Sequence, residues 1–200
     1  MKREFFWLIA IFLLGWASLT MYSVISRYQQ TQRIDQLRAI AIPSLQAFYP
    51  RAIQEAEQWD EEFTLDLITI FIVPEKNRKR RGTKLIAAVV FISRNRPLEF
   101  LHVEYLITHQ VTSKIGEVSF AFTDFSNSQI NTVIDAPEAW DKFLEHPQMG
   151  RHEISEFDCA LMRLMHSDEA VFWRLGVDNC EGKGVTIYDI NAYTGEFIEE

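Results

Sequence analysis

Cysteine is nearly absent from this 200-residue chain: Cys159 and Cys180 are the only two. A pair excludes a disulfide-dense scaffold and the four-ligand CxxC spacing of a structural zinc module. Glycine and proline are also sparse, at eight and six residues, which excludes collagen-like or low-complexity architecture. Basic charge falls short of acidic, 20 Lys and Arg against 28 Asp and Glu, so the formal net charge is −8. That balance disfavours nucleic-acid partners, because neutralising phosphates needs a cationic surplus. No Asn-x-Ser/Thr acceptor, GxSxG, HExxH or dinucleotide fingerprint occurs. What remains is 48% hydrophobic and 24% charged, enough apolar material for one core.

The charge is not evenly spread. Residues 1–96 carry 14 basic and 9 acidic side chains, and residues 97–200 carry 6 and 19. The first half also contains the one long uncharged run, Phe5 to Ser26 (FFWLIAIFLLGWASLTMYSVIS). As a helix its 22 residues would be roughly 33 Å long, which matches a hydrocarbon core of about 30 Å. Trp7 and Tyr22 lie near its ends, where amphipathic rings favour the interface. The reading is a transmembrane anchor over 1–26 that holds the chain in a lipid bilayer through residues 5–26. A cleaved signal with its site at Gly15-Trp16-Ala17 is the alternative, but the apolar run continues past that point. No cysteine closes the run, so a lipid-modified amino terminus is not expected. Lys2 and Arg3 on a very short tail favour a cytoplasmic amino terminus and an extracytoplasmic domain in a single-pass protein.

Residues 27–49 read as a helical stalk or linker, with Ile34, Leu37 and Ile40 at helical spacing before Pro43. Residues 50–200 read as one α+β domain with mainly antiparallel pairing. A helix is expected from Pro50 to residue 61, since proline suits a first turn. The period then becomes strand-like over Glu62–Val73, Lys84–Ser93, Leu98–Ile107 and Glu117–Thr123. A short helix is expected at 137–146, and a longer one from an N-cap at Ser155 through His166, with Phe157, Leu161, Leu164 and Met165 on one face. Strands follow at 170–177 and 184–190, with a last pairing at 196–198. Helix-then-three-strands occurs twice, giving candidate αβββ halves at 50–123 and 137–200, each a helix on a curved cystatin-like sheet.

The last part of the chain resembles the PepSY-like group of small extracytoplasmic modules. The resemblance lies in Ser155–His166, in VFWRL at 171–175 and in VTIYDINAYTGEF at 185–197. Within that ending Tyr188, Ile190, Asn191, Ala192, Thr194, Gly195 and Glu196 match the group's closing hairpin pattern. The resemblance implies a helix over 155–166 and a membrane-associated binding or regulatory module, sometimes an inhibitor or propeptide element. No inhibitory residue carries over.

Several clusters invite chemistry. Lys76, Arg78, Lys79, Arg80, Arg81 and Lys84 put six cations in nine residues at the tip of the expected first hairpin. They suit an anionic surface such as lipid headgroups, or equally a solvated tip whose like charges discourage edge pairing. Cys159 and Cys180 invite a disulfide outside the cytoplasm. With a helix from Cys159 and a strand leading to Cys180, however, the spans disagree, at ~10 Å against ~26 Å. His146, His152, Glu153 and His166 share a region but match no metal pattern, so neither metal nor cofactor is expected. His102 and Glu104 share a strand face, and Trp59-Asp60-Glu61-Glu62 reads as a solvated helix end. The spacing in Gly176–Gly184 does not fit a phosphate loop, and Asp189-x-Asn191 does not fit a calcium loop. No nucleophile has a supporting base, so an enzyme is not expected. The function read from the sequence is a membrane-anchored, non-catalytic binding or regulatory module of the cell envelope, an accessory to a protein partner there. The alternatives are an envelope enzyme with an atypical site and a cytoplasm-facing scaffold that holds anionic lipid with the basic hairpin.

Overall fold

The computed structural model describes residues 2–72, 74, 84–117, 127–167, 170–178 and 185–198; for residues 2–14, 127–129 and 158 it describes the backbone alone. Helix α1 runs unbroken over Lys2–Arg38. α2 spans Leu45–Trp59 and α3 spans Ala136–Glu145. The strands are β1 (Phe63–Ile72), β2 (Leu85–Ser93), β3 (Glu99–Leu106), β4 (Val111–Glu117), β5 (Ala160–His166), β6 (Val171–Asp178) and β7 (Val185–Asn191). Short 3-10 turns occupy Asn127–Thr132, Met149–Arg151 and Ile154–Cys159.

The strands make one antiparallel sheet in the order β4-β3-β2-β1-β5-β6-β7. Each half therefore runs from a helix into an antiparallel meander, and the halves meet where β1 pairs with β5, Ile70 opposite Met162. One face of the sheet is apolar across its width, with Leu101 and Val103, Val89 and Phe91, Ile68 and Ile70, Met162 and Leu164, Trp173 and Leu175, and Ile190 all buried. An irregularity between Leu65 and Leu67 shifts the alternation of β1, so Leu65 and Ile68 both reach that face despite their odd spacing. Phe48, Ala52, Ala56 and Trp59 of α2 cover it with Ala139, Trp140 and Phe143 of α3.

Three expectations need correction. The segment 160–166 is a strand, not the body of a helix from Ser155. Ala160, Met162 and Leu164 are buried in strict alternation, and β1 and β6 flank the segment with backbone partners on both sides. The cap before it is Glu153, whose side chain exchanges a capping box with Glu156 at the start of the 3-10 turn. Second, α2 begins five residues before Pro50 and holds that proline inside it. Burial of Leu45, Phe48 and Tyr49 on one face anchors the turn that proline alone would not start. Third, residues 27–49 are not a detached linker. Leu37 is 1% exposed and Ile40 is buried, so the end of α1 belongs to the core.

Residues 118–126, and with them most of the strand expected at 117–123, lie outside the described residues; β4 is described over Val111–Glu117.

Candidate functional site

The closing hairpin builds a cluster of polar and aromatic contacts. Asn191 accepts the N–H groups of Tyr193 (2.8 Å) and Thr194 (3.1 Å) on its side chain, and Gly195 closes the turn at φ +72°. The chain then folds back so that Phe197 bridges Ile190, and the N–H of Ile198 donates to the Asp189 carbonyl at 3.0 Å. This return brings Phe197 against His146, at the end of α3, with ring centroids 4.8 Å apart. His146 also packs on Tyr188 of β7 at 4.7 Å.

Behind these rings stands a polar relay. The Tyr188 hydroxyl lies 2.7 Å from His152 Nε2, and His152 Nδ1 lies 2.6 Å from Glu156. Burial first, and then the negative charge of Glu156, hold the Tyr188 phenol above its ordinary value. The Glu156 carboxylate can only accept, so His152 donates Nδ1–H to it, while Nε2 pairs with the Tyr188 hydroxyl. The two bonds make the relay a clamp that fixes the 3-10 segments to β7. A phenol held in its neutral form is a poor nucleophile.

In front of the clamp opens a groove of about 480 Å³ lined by His146, Gln148, Thr186, Ile187, Tyr188, Asp189, Phe197 and Ile198. Asp189 is held by Arg174 of β6 through two hydrogen bonds, 2.8 Å from Nε and 2.6 Å from Nη2. A smaller cleft of about 140 Å³ lies between Leu45, Tyr49, Pro50, Ile130 and Asp135. No group of three or more His, Cys, Asp and Glu side chains placed to hold a metal ion occurs among the described residues.

Of the residues singled out by sequence, Lys76, Arg78, Lys79, Arg80 and Arg81 lie outside the described residues, and Lys84 is exposed just before β2. Cys159 is disulfide-bonded at the end of its 3-10 turn, and Cys180, the other cysteine of the chain, lies outside the described residues. His102 and Glu104 do pair, at 3.5 Å, with Lys114 of β4 bonded to Glu104 at 2.6 Å. Asp60 caps α2, accepts the Glu62 N–H at 2.8 Å and pairs with Arg96. The pairing of His152 with Tyr188, 36 residues apart, had no sequence signal. Only the four-residue spacing of His152 and Glu156 hinted at one part of it.

No protein-family model matches the chain, and a search of curated proteins finds no match. Among solved structures the fold is similar to the crystal structure of a "putative lipoprotein" from Clostridium difficile 630, with a TM-score of 0.50 at 10% identity, covering 82% of this chain and 96% of that one. At that identity the likeness concerns the fold.

Proposed function

We propose that the chain is a membrane-tethered, non-catalytic binding module of the cell envelope, held by residues 5–26 and presenting its α+β domain outside the cytoplasm. The observation that carries this reading is the form of α1. Its carboxy-terminal turns are packed into the domain, while Trp16, Leu19, Met21, Tyr22, Val24 and Ile25 are exposed around the helix. A helix that is apolar all round needs burial in a protein or a bilayer. Among the described residues no helix is long and apolar enough to cross a membrane. The anchor therefore rests on the sequence of 5–26, with the side chains of residues 2–14 outside the described set.

Two further points support an envelope module. The similar fold belongs to a protein described as a "putative lipoprotein". The resemblance of the sequence at 185–197 to the PepSY-like ending points the same way, although the helix which that resemblance implied over 155–166 is a strand at 160–166.

Alkaline carbonate washing of membranes from expressing cells tests the tether. The full chain should stay in the pellet, and a variant lacking residues 1–26 should move to the supernatant. Release of the full chain would overturn the anchor. Protease added to intact cells should digest the domain, and protection would favour the cytoplasm-facing scaffold.

A further inference from the structure

Helix α1 joins the uncharged run to the domain without a break. Its partly or fully buried positions Ser26, Gln30, Arg33, Ile34 and Leu37 form one stripe at helical spacing, and the stripe reaches the last residue of that run. The stripe meets the 3-10 turn at Met149–Arg151. A side chain added at Gly150 would lie 3.1 Å from Gln30 Cβ, and Arg33 donates to the Arg151 carbonyl at 3.1 Å. Trp140 comes next, with its indole N–H on the Leu37 carbonyl. Along the helix axis Gln30 stands about 6 Å past Ser26, Arg33 about 10 Å and Leu37 about 16 Å. The headgroup zone of a bilayer is about 5–8 Å deep on each side. The turn at Met149–Arg151 therefore lies at the level of the headgroups, and Trp140 lies above them.

We infer that this turn seats the domain on the bilayer, with Arg27 of α1 and Arg151 of the turn on phospholipid phosphates and Tyr28 in the interface. Arg27, Tyr28, Gln148 and Arg151 are all exposed. The guanidinium groups of Arg27 and Arg151 have no ion-pair or hydrogen-bond partner among the described residues. The acids at the same level are already held, Glu153 by Arg33 at 3.8 Å and Glu156 by His152 at 2.6 Å. Two free cations thus remain here, although residues 97–200 carry only 6 basic side chains against 19 acidic. A guanidinium matches the oxygens of a phosphate in two-pronged pairing, and an amphipathic ring such as Tyr28 favours the interface. The unbroken helix keeps the domain at this height rather than on a swinging stalk. This inference rests on reading residues 5–26 as the anchor.

The test uses the full chain in nanodiscs of phosphatidylglycerol, with a gadolinium chelate on a fraction of the headgroups. Paramagnetic relaxation of the amide signals should fall in the order Arg27, Gly150, Trp140. Equal relaxation at Gly150 and Trp140 overturns the seat. Hydrogen exchange at residues 150–152 reads the phosphate contact, and it should be slower in the discs than in maltoside micelles, which carry no phosphate. Arg27→Gln and Arg151→Gln, both at exposed positions, should each speed that exchange on the order of fivefold in the discs and leave it unchanged in micelles. Arg151→Lys should keep most of the protection. Exchange that is the same in discs and micelles overturns the contact, as do variants that change it equally in both. Inorganic phosphate added to the micelles should restore no protection, and restoration would overturn the assignment to lipid. A chain that resists carbonate extraction yet fails these tests keeps its anchor and loses the seat, whereas a chain released by carbonate loses both.

Discussion

The Ser44 hydroxyl donates to the carboxylate of Asp135, 91 residues further along the chain, and that carboxylate also accepts the N–H groups of Leu45 at 2.7 Å and Ala136 at 2.8 Å. One side chain thus caps the amino termini of both α2 and α3, the helices of the two halves. Asp135→Ala strips two helix ends at once. It should lower stability by about 2–3 kcal/mol, more than the ~1 kcal/mol of a single cap. Ser44→Ala should cost less, because Leu45 keeps its acceptor. Denaturant unfolding of both variants checks the order.

The stalk is predicted to unfold with the domain. Leu37 is buried, and its carbonyl accepts the Trp140 indole N–H at 3.3 Å. Arg33 donates to the Arg151 carbonyl at 3.1 Å, and a side chain added at Gly150 would meet Gln30 at 3.1 Å. Leu37→Ala should destabilise the whole domain by about 2–5 kcal/mol. Exchange protection should fall in β5 and β6 as well as in α1. A loss confined to α1 would show that the helix merely leans on the core.

Acid should weaken the fold in two stages. Burial, and then Lys114, hold the His102 imidazole below its ordinary value of 6.5, with Glu104 pulling the other way. The hydrogen bond from Lys114 holds the Glu104 carboxyl below 4.5. In both cases the unfolded chain binds the proton more readily. The His102 contribution is present above 6.5 and lost as pH falls from there, and that of Glu104 is lost as pH falls from 4.5. Lys114→Met removes the main influence on Glu104 and one of the two that lower His102. The unfolding midpoint plotted against pH should therefore flatten, most of all below 4.5.

The disulfide should stabilise the carboxy-terminal half. Closing a loop of about 20 residues is worth about 3 kcal/mol. Dithiothreitol should lower the unfolding midpoint of the wild type and leave Cys159→Ala unmoved. An equal response of both would remove this role.

The spans to Cys159 and Cys180 disagree only for a helix over 160–166, and that segment is a strand. In the structure Leu161 lies opposite Gly176 on the next antiparallel strand, which puts Cys159 level with the end of β6, two residues before Cys180 in sequence. Seven residues such as ALMRLMH carry apolar side chains at both two-residue and three-to-four-residue spacing. Periodicity alone cannot choose between the two patterns. Pro50 misled for a related reason. Local preference places proline in a first turn, whereas the core placed it one turn later.

Some features needed nothing beyond the chain itself. Apolar runs rich in branched side chains made β1 and β2 legible and alternation made β3 so, and Asn191 and Gly195 determined the last turn through their own side-chain and backbone preferences. The uncharged run over 5–26 is likewise a property of the sequence. Tertiary structure alone decided that β5 pairs with β1, that Asp135 serves two helices, and that Tyr188, His152 and Glu156 meet. Each of those depends on groups tens of residues apart. Their hydrogen bonds become favourable only once the packed sheet has ordered both partners and removed competing water.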